Sequence, residues 1–227
     1  VEYKLVAQLR VPRRHELSKL ERNVRFSEPK HLASFSRTKG DPSSFKTGGN
    51  PPAYVEPKVG VSLLEGFESH KEAVDDSTLD FVTDALNKTN TALLSNFKGF
   101  VSYRNNMNKI LATPYLRNEY CIEVVPTQGG YTRLEIVKTP DPTDVRQRQF
   151  MYMGRRFEKI CTETHQDQHN DSSQKDNDNT EHCVVVKINL GDHSMLLGAE
   201  IDCTMPPQPQ RAQQQQNFTK QQQQQQQ

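Results

Sequence analysis

The stretch of this sequence best suited to chemistry is LLGAEIDCT, residues 196–204, where two acids, Glu200 and Asp202, stand one residue apart in an apolar run. On a strand, residues i and i+2 face the same way. The two carboxylates would then sit side by side, with Ile201 and Cys203 turned toward a core. Like charges that close repel unless a cation lies between them. Hard divalent ions such as Mg²⁺ or Mn²⁺ take oxygen ligands of this kind. Spacing alone is weak support, because E-x-D is common by chance and ordinary surface acids on an edge strand fit it better. Two other residues stand out. Glu158, in MYMGRRFEKI, follows Phe157 on a helical pattern, where a lone Glu is as a rule a surface residue or ion-pair partner. Arg104, in FVSYRNNMNKIL, is an arginine amid an apolar helix face, which either pairs with a core acid or binds phosphate.

The elements that must hold these residues can be read from periodicity. Residues 1–53 are basic and rich in turn formers, ending in KTGGNPPAY, and read as a largely irregular segment with a helix at 15–23 and one short strand in SFSRTKG. Ser77 offers an N-cap to a helix carrying Leu79, Val82 and Leu86. NFKGFVSYRNNMNKILATPY reads as a second helix, with Phe100, Tyr103, Met107, Ile110 and Leu111 on one side and Pro114 at its end. YCIEVVPTQGGYTRLEIVKTP is a hairpin by composition. DVRQRQFMYMGRRFEKICTE is helical, and Gly154 inside it calls for a packing or contact reason. HCVVVKINLG and HSMLLGAEIDC are two strands around a Gly-Asp-His turn.

Residues 164–182 are polar and of low complexity, which predicts a disordered loop. His165, Asp167 and His169 lie in it without a scaffold to make them a metal site. Residues 205–227 form a Pro/Gln-rich tail that cannot pack a core. The expected organisation is therefore a basic segment at 1–53, a core at 54–204 interrupted by the loop, and the tail.

Composition narrows the class. The 227 residues are 33% hydrophobic, with mean hydropathy −0.84, so the core is small for the length. A net charge of +1 does not announce a nucleic-acid partner. Locally, residues 10–39 hold nine Lys/Arg against three Glu, a solvated basic arm or a surface for phosphate. Cys121, Cys161, Cys183 and Cys203 form no C-x-x-C pair and lie in or beside apolar stretches. That pattern favours reduced thiols and the cytosol or nucleus over secretion. No run is long and apolar enough for a membrane span, and the start, Val rather than Met, shows no signal-peptide core.

Taken in order, FVSYRNNMNKILATPY, EIVKTP, YMGRRFE and LGDHSMLLGAEIDCT resemble the DXO-type decapping nucleases, eukaryotic RNA 5′-end quality-control enzymes. That group includes the partner of the nuclear 5′–3′ exoribonuclease. The resemblance covers residues 75–204 well and 25–74 loosely. It implies an α+β fold, a mixed β-sheet core flanked by helices similar to the λ-exonuclease-like nucleases, incomplete at its C-terminus. It implies a two-metal site with Mg²⁺ or Mn²⁺ held by Glu158, Glu200 and Asp202, which are also the catalytic residues. It assigns substrate contacts to Arg104, with Tyr103, Asn105 and Cys183 lining the pocket. The expected substrate is an RNA 5′ end, with an exoribonuclease as a further partner and the nucleus as location.

The departures are specific. GRRFE stands where the family has Gly-aromatic-Lys-Phe-Glu, so Arg155 and Arg156 keep charge and lose an aromatic surface. YRN stands where the family has Trp-Arg-Gly. No acid-hydrophobic-lysine motif follows Cys203. The expectation is a truncated chain lacking one set of metal ligands. It would be impaired as a decapping pyrophosphohydrolase and 5′–3′ exoribonuclease, and poorly folded alone. The alternative is an inactive relative that binds RNA or the exoribonuclease.

Overall fold

The computed structural model describes residues 8, 10–17, 19, 24–70, 76–117, 119–137, 144–162 and 180–205. The chain divides into two compact units. The first comprises Val1–Gly49, Lys71–Asp141 and Asn179–Ile201, the second Asn50–His70, Pro142–Asp178 and Asp202–Gln227. This cut differs from the expected basic-segment, core and tail organisation, because residues 30–47 belong to the main sheet.

The first unit is a seven-stranded mixed sheet with helices. After a short helix α1 (Arg14–Leu17) come β1 (Lys30–Thr38), β2 (Asp41–Thr47), α2 (Leu79–Thr89), α3 (Thr91–Asn96), β3 (Phe100–Tyr103), α4 (Arg104–Ala112), β4 (Ile122–Pro126), β5 (Thr132–Ile136), β6 (Thr180–Leu190) and β7 (His193–Glu200). The strand order is β2-β1-β6-β7-β3-β5-β4. β3 runs parallel to β7 and to β5, and the other neighbours are antiparallel. The α+β class with a mixed sheet is as expected.

The sheet's buried face follows from period-2 alternation. Ala33, Phe35 and Arg37 on β1 lie opposite Val185, Cys183 and Glu181 on β6, and all six are buried. Leu79, Val82, Ala85 and Leu86 of α2 join the same core. Phe35, Phe45 and Phe81 stack at its edge, with centroid separations of 5.4 to 6.4 Å. The short strand expected in SFSRTKG thus lies within the longer β1, and the otherwise irregular segment also supplies β2 and two of the three clustered phenylalanines.

A second difference concerns Phe100–Tyr103, expected to be helical. These residues form β3, between β7 and β5, and the helix begins only at Arg104. Gly99 permits the approach, because a Cβ there would stand 2.2 Å from the Ser194 carbonyl oxygen of β7. The α2 N-cap is Thr78 rather than Ser77, whose hydroxyl instead receives Arg37. The β4–β5 and β6–β7 hairpins form as expected.

The second unit holds α5 (Val145–Ile160), as the sequence predicts, capped by the Asp144 carboxylate accepting from the Arg146 amide. Tyr152, Ile160 and Cys161 are buried. Gly154 does not answer a packing need, because a Cβ there would meet nothing within 4 Å. The predicted loop at 164–182 and tail at 205–227 fall largely outside the described residues, as do His165, Asp167 and His169. Thr180–His182 are an exception and already belong to β6. No described helix is long and apolar enough to cross a membrane.

Candidate active site

Parallel pairing brings the carboxyl ends of β3 and β7 together, and the first unit's candidate residues gather there. Tyr103 is the register partner of Gly198, and Glu200 follows two residues later on the same face. Across β7, Glu200 is the register partner of Cys183. Arg104 and Asn105 open α4 immediately after β3 and are exposed. Arg104 is therefore not embedded in an apolar helix face. It stands on the first turn of a helix, where unpaired amides favour anions. That turn is pinned from below. The Asn106 side chain donates through Nδ2 to Ser102 Oγ and to the Leu134 carbonyl at 3.3 Å each, and Ser102 Oγ donates to the same carbonyl at 2.7 Å.

Burial fixes the chemistry of two of these groups. The Tyr103 hydroxyl donates to the Thr78 carbonyl at 2.8 Å. Burial, with the nearby Cys183, holds its pKa well above the ordinary phenol range. Cys183 is 6% exposed. Burial, then the fields of Glu181 and Glu200, push its thiol up to about 12. Both groups are neutral at physiological pH. They line the site and supply neither a nucleophile nor a charge. A glycine at 198 makes room for the tyrosine, since a Cβ there would lie 3.0 Å from the ring and 2.7 Å from Val82.

Beside Cys183 lies a charge cluster whose cations, Arg37 and Lys39, fall in the stretch read from sequence as a basic arm. Arg37 is 2% exposed. It pairs with Asp76, with Glu181 at 2.7 Å and with the Ser77 hydroxyl at 2.6 Å, and it lies over the Phe81 ring. Lys39 meets Glu181 at 2.6 Å. Burial opposes the Arg37 charge, but the Asp76 bond and the Glu181 field outweigh it and raise its pKa. Glu181 was missed. The available signal was its spacing, two residues before Cys183 on one strand face.

The other two acids lie in the second unit. Glu158 is exposed in the last turns of α5. Asp202 is exposed beyond the end of β7, which stops at Glu200, so the expected strand pairing of Glu200 with Asp202 does not extend that far. Ile201 and Cys203 are half-buried rather than core. The donor chemistry of Glu158, Glu200 and Asp202 fits a hard divalent cation, which takes carboxylate oxygens. Among the described residues, no group of three or more His, Cys, Asp or Glu is gathered to hold an ion. The described residues thus offer the right donors without gathering them into a complete ligand set.

A mixed sheet with parallel pairing at β3, a helix start suited to phosphate and an acidic strand end define an α+β domain suited to phosphate chemistry. Comparison with known proteins makes the class specific. The family described as RAI1 like PD-(D/E)XK nuclease matches residues 27–225. The human decapping and exoribonuclease protein is 32% identical over 118 residues, covering 49% of this chain and 30% of that one. The solved Schizosaccharomyces pombe Rai1 bound to 3′-FADP superimposes with a TM-score of 0.63 at 22% identity, over 82% of this chain and 56% of that chain. Candida albicans Rai1 bound to pU5 and Mn²⁺ gives 0.59 at 19% identity, over 83% and 57%. The chain belongs to the RAI1-like PD-(D/E)XK nuclease family. It spans about half the length of the solved relatives and less than a third of the human protein.

Proposed function

We propose that this chain carries the 5′-end-recognising part of a metal-dependent RNA decapping nuclease, which removes incomplete or non-canonical caps and then degrades the RNA. The observation that carries the reading is the meeting of Tyr103, Arg104, Asn105, Cys183 and Glu200 where β3 and β7 end side by side. In this reading Arg104 and the α4 amides hold a phosphate of the RNA 5′ end. Tyr103 and Cys183, both neutral, would form the wall beside that phosphate. Glu158, Glu200 and Asp202 would hold the divalent cation, Mg²⁺ or Mn²⁺. When bound, such an ion lowers the pKa of a water and stabilises charge on phosphoryl oxygens. Nuclear residence and an exoribonuclease partner belong to the same reading and rest on the family resemblance.

The 227 residues contain no acid-hydrophobic-lysine motif after Cys203. Loss of one charge-stabilising group commonly costs on the order of 10²–10³ in rate. Turnover by these 227 residues therefore tests whether Glu158, Glu200 and Asp202 suffice without such a group. A second reading, a relative that binds RNA or an exoribonuclease without turnover, is favoured by the incomplete ligand set among the described residues.

A nuclease assay separates the two. Purified chain is given 5′-monophosphate and 5′-triphosphate RNA with Mn²⁺ or Mg²⁺, beside the Glu200→Ala, Asp202→Ala double variant. Slow metal-dependent release of nucleotides or pyrophosphate, abolished in the variant, supports the first reading. RNA binding that depends on Arg104, without turnover, selects the second. Neither turnover nor RNA binding would sink both.

A further inference from the structure

We infer that residues 52–70 form a positioning strap for Glu158 and Asp202, an inference that rests on reading those acids as metal ligands. One end of the strap ties two pieces of the second unit together through successive amides. Ala53 bridges Thr204 in parallel fashion. The Thr204 amide donates to the Pro52 carbonyl and the Tyr54 amide to the Thr204 carbonyl, both at 2.8 Å. The next amide, that of Val55, donates to the Cys161 carbonyl at 2.7 Å. An extended chain points successive amides to opposite sides. The strap therefore runs between the chain just after Asp202 and the end of the helix that carries Glu158. Its width sets their separation.

The other end grips one face of the helix. The Tyr152 hydroxyl donates to the Glu65 carbonyl, and Arg156 Nη2 stands 3.6 Å from Glu65 Oε2. The Phe67 and His70 rings pack on Tyr152, with centroids 5.6 and 4.9 Å away. Gly66 adopts a left-handed φ of 84°, and a Cβ there would lie 2.8 Å from the Tyr152 hydroxyl oxygen. Tyr152 and Arg156 are one turn apart and share a face. Glu158 lies about 200° round the helix from Arg156, and it is exposed. The strap thus fixes the rotation of α5 by its buried face and leaves the carboxylate projecting from the opposite one.

The test uses the whole chain and Mn²⁺ alone, with free Mn²⁺ followed by its electron paramagnetic resonance signal. Glu158→Gln and Asp202→Asn probe the reading, while Gly66→Ala and Tyr152→Phe probe the strap. We expect the acid variants to lose Mn²⁺ binding. The strap variants should keep their circular dichroism spectrum and bind Mn²⁺ about 10–100-fold more weakly, as for other groups that orient metal ligands. A purely structural role would lower the melting temperature and leave the affinity of the folded protein unchanged. Unchanged affinity in the strap variants, beside loss in the acid variants, overturns the strap and spares the reading. Equal binding by wild type and acid variants, or no binding by wild type, overturns both. Should Gly66→Ala fail to fold, Tyr152→Phe, which removes one hydroxyl, decides alone.

Discussion

Arg37 and Arg156 both stand on elements that carry or adjoin candidate site residues, yet their surroundings differ. The Arg37 side chain, on β1 of the first unit, is 1% exposed and meets Asp76 and Glu181, which are 21% and 10% exposed. Arg156, on α5 of the second unit, is 24% exposed and stands 3.6 Å from Glu65, itself 69% exposed. The first pairing replaces water around several charges at once. The second leaves most of the water around Glu65 in place. Where the first unit orders its functional end by burial and matched charge, the second orders its acids by backbone hydrogen bonds and the packing of two rings on Tyr152.

The largest expected effect breaks this contrast at its deep end. Arg37→Ala removes a cation from between two partly buried carboxylates and leaves them facing each other. Stripping one partner from a buried pair costs about 3–5 kcal/mol. Arg156→Ala should cost less, about 0–1 kcal/mol, because the pair is long and its partner Glu65 is exposed. Urea unfolding of the two variants checks both values. Equal losses would mean that the two arginines are held alike.

A smaller effect is expected where the first unit is full. Gly198→Ala places a methyl group 2.7 Å from Val82 and 3.0 Å from the Tyr103 ring. Val82 is fully buried, so it has nowhere to retreat. Overpacking of this kind costs about 1–3 kcal/mol. It should also disturb the Tyr103 hydroxyl bond to Thr78, seen as a shift in tyrosine absorbance during alkaline titration.

The sequence made some of this legible and concealed the rest. The β4–β5 and β6–β7 hairpins and α5 could be read because turn residues separate clear periodic runs. β3 was concealed because Phe100, Tyr103, Met107 and Ile110 continue a helical spacing through a real strand into a real helix. β1 was legible only in part, as the short strand in SFSRTKG, because Arg37 puts a charge at a core position of the alternation. In the site, Glu200 and Cys183 were legible as motif positions, and the register makes them neighbours. Glu181 and Lys39 were not, because their partnership crosses from β6 to the end of β1 and no local pattern marks it.

The charge cluster should also give the first unit a pH signature. Burial works against the Asp76 charge, but the Arg37 bond and the Gly40 amide outweigh it and hold the carboxyl below its ordinary value. A depressed folded pKa adds stability that is complete above the unfolded value of about 3.9. That stability is lost as pH falls through the lower folded value. Asp76→Asn should therefore be less stable than wild type at pH 7, and its stability should fall less steeply below about pH 4. Urea unfolding at pH 7, 5 and 3 measures the two slopes. Parallel slopes would remove Asp76 from the account of acid stability.

The smallest effect tests the shallow end of the comparison, and its sign is reversed. Gly154 lies inside α5, in the GRRFE stretch, with nothing within 4 Å of a Cβ built on it. Gly154→Ala should stabilise the chain by about 0.5–1 kcal/mol, because alanine loses less backbone entropy in a helix. Gly198 is a glycine because the first unit has no room for more. Gly154 has room, so packing within the described residues does not account for it. If the proposed function holds, the same open space, four residues before Glu158, leaves RNA room to approach the helix backbone. Gly154→Ala should then melt higher than wild type and bind 5′-phosphorylated RNA more weakly. A variant that gains stability and keeps its RNA affinity would show that this face of α5 does not meet the substrate.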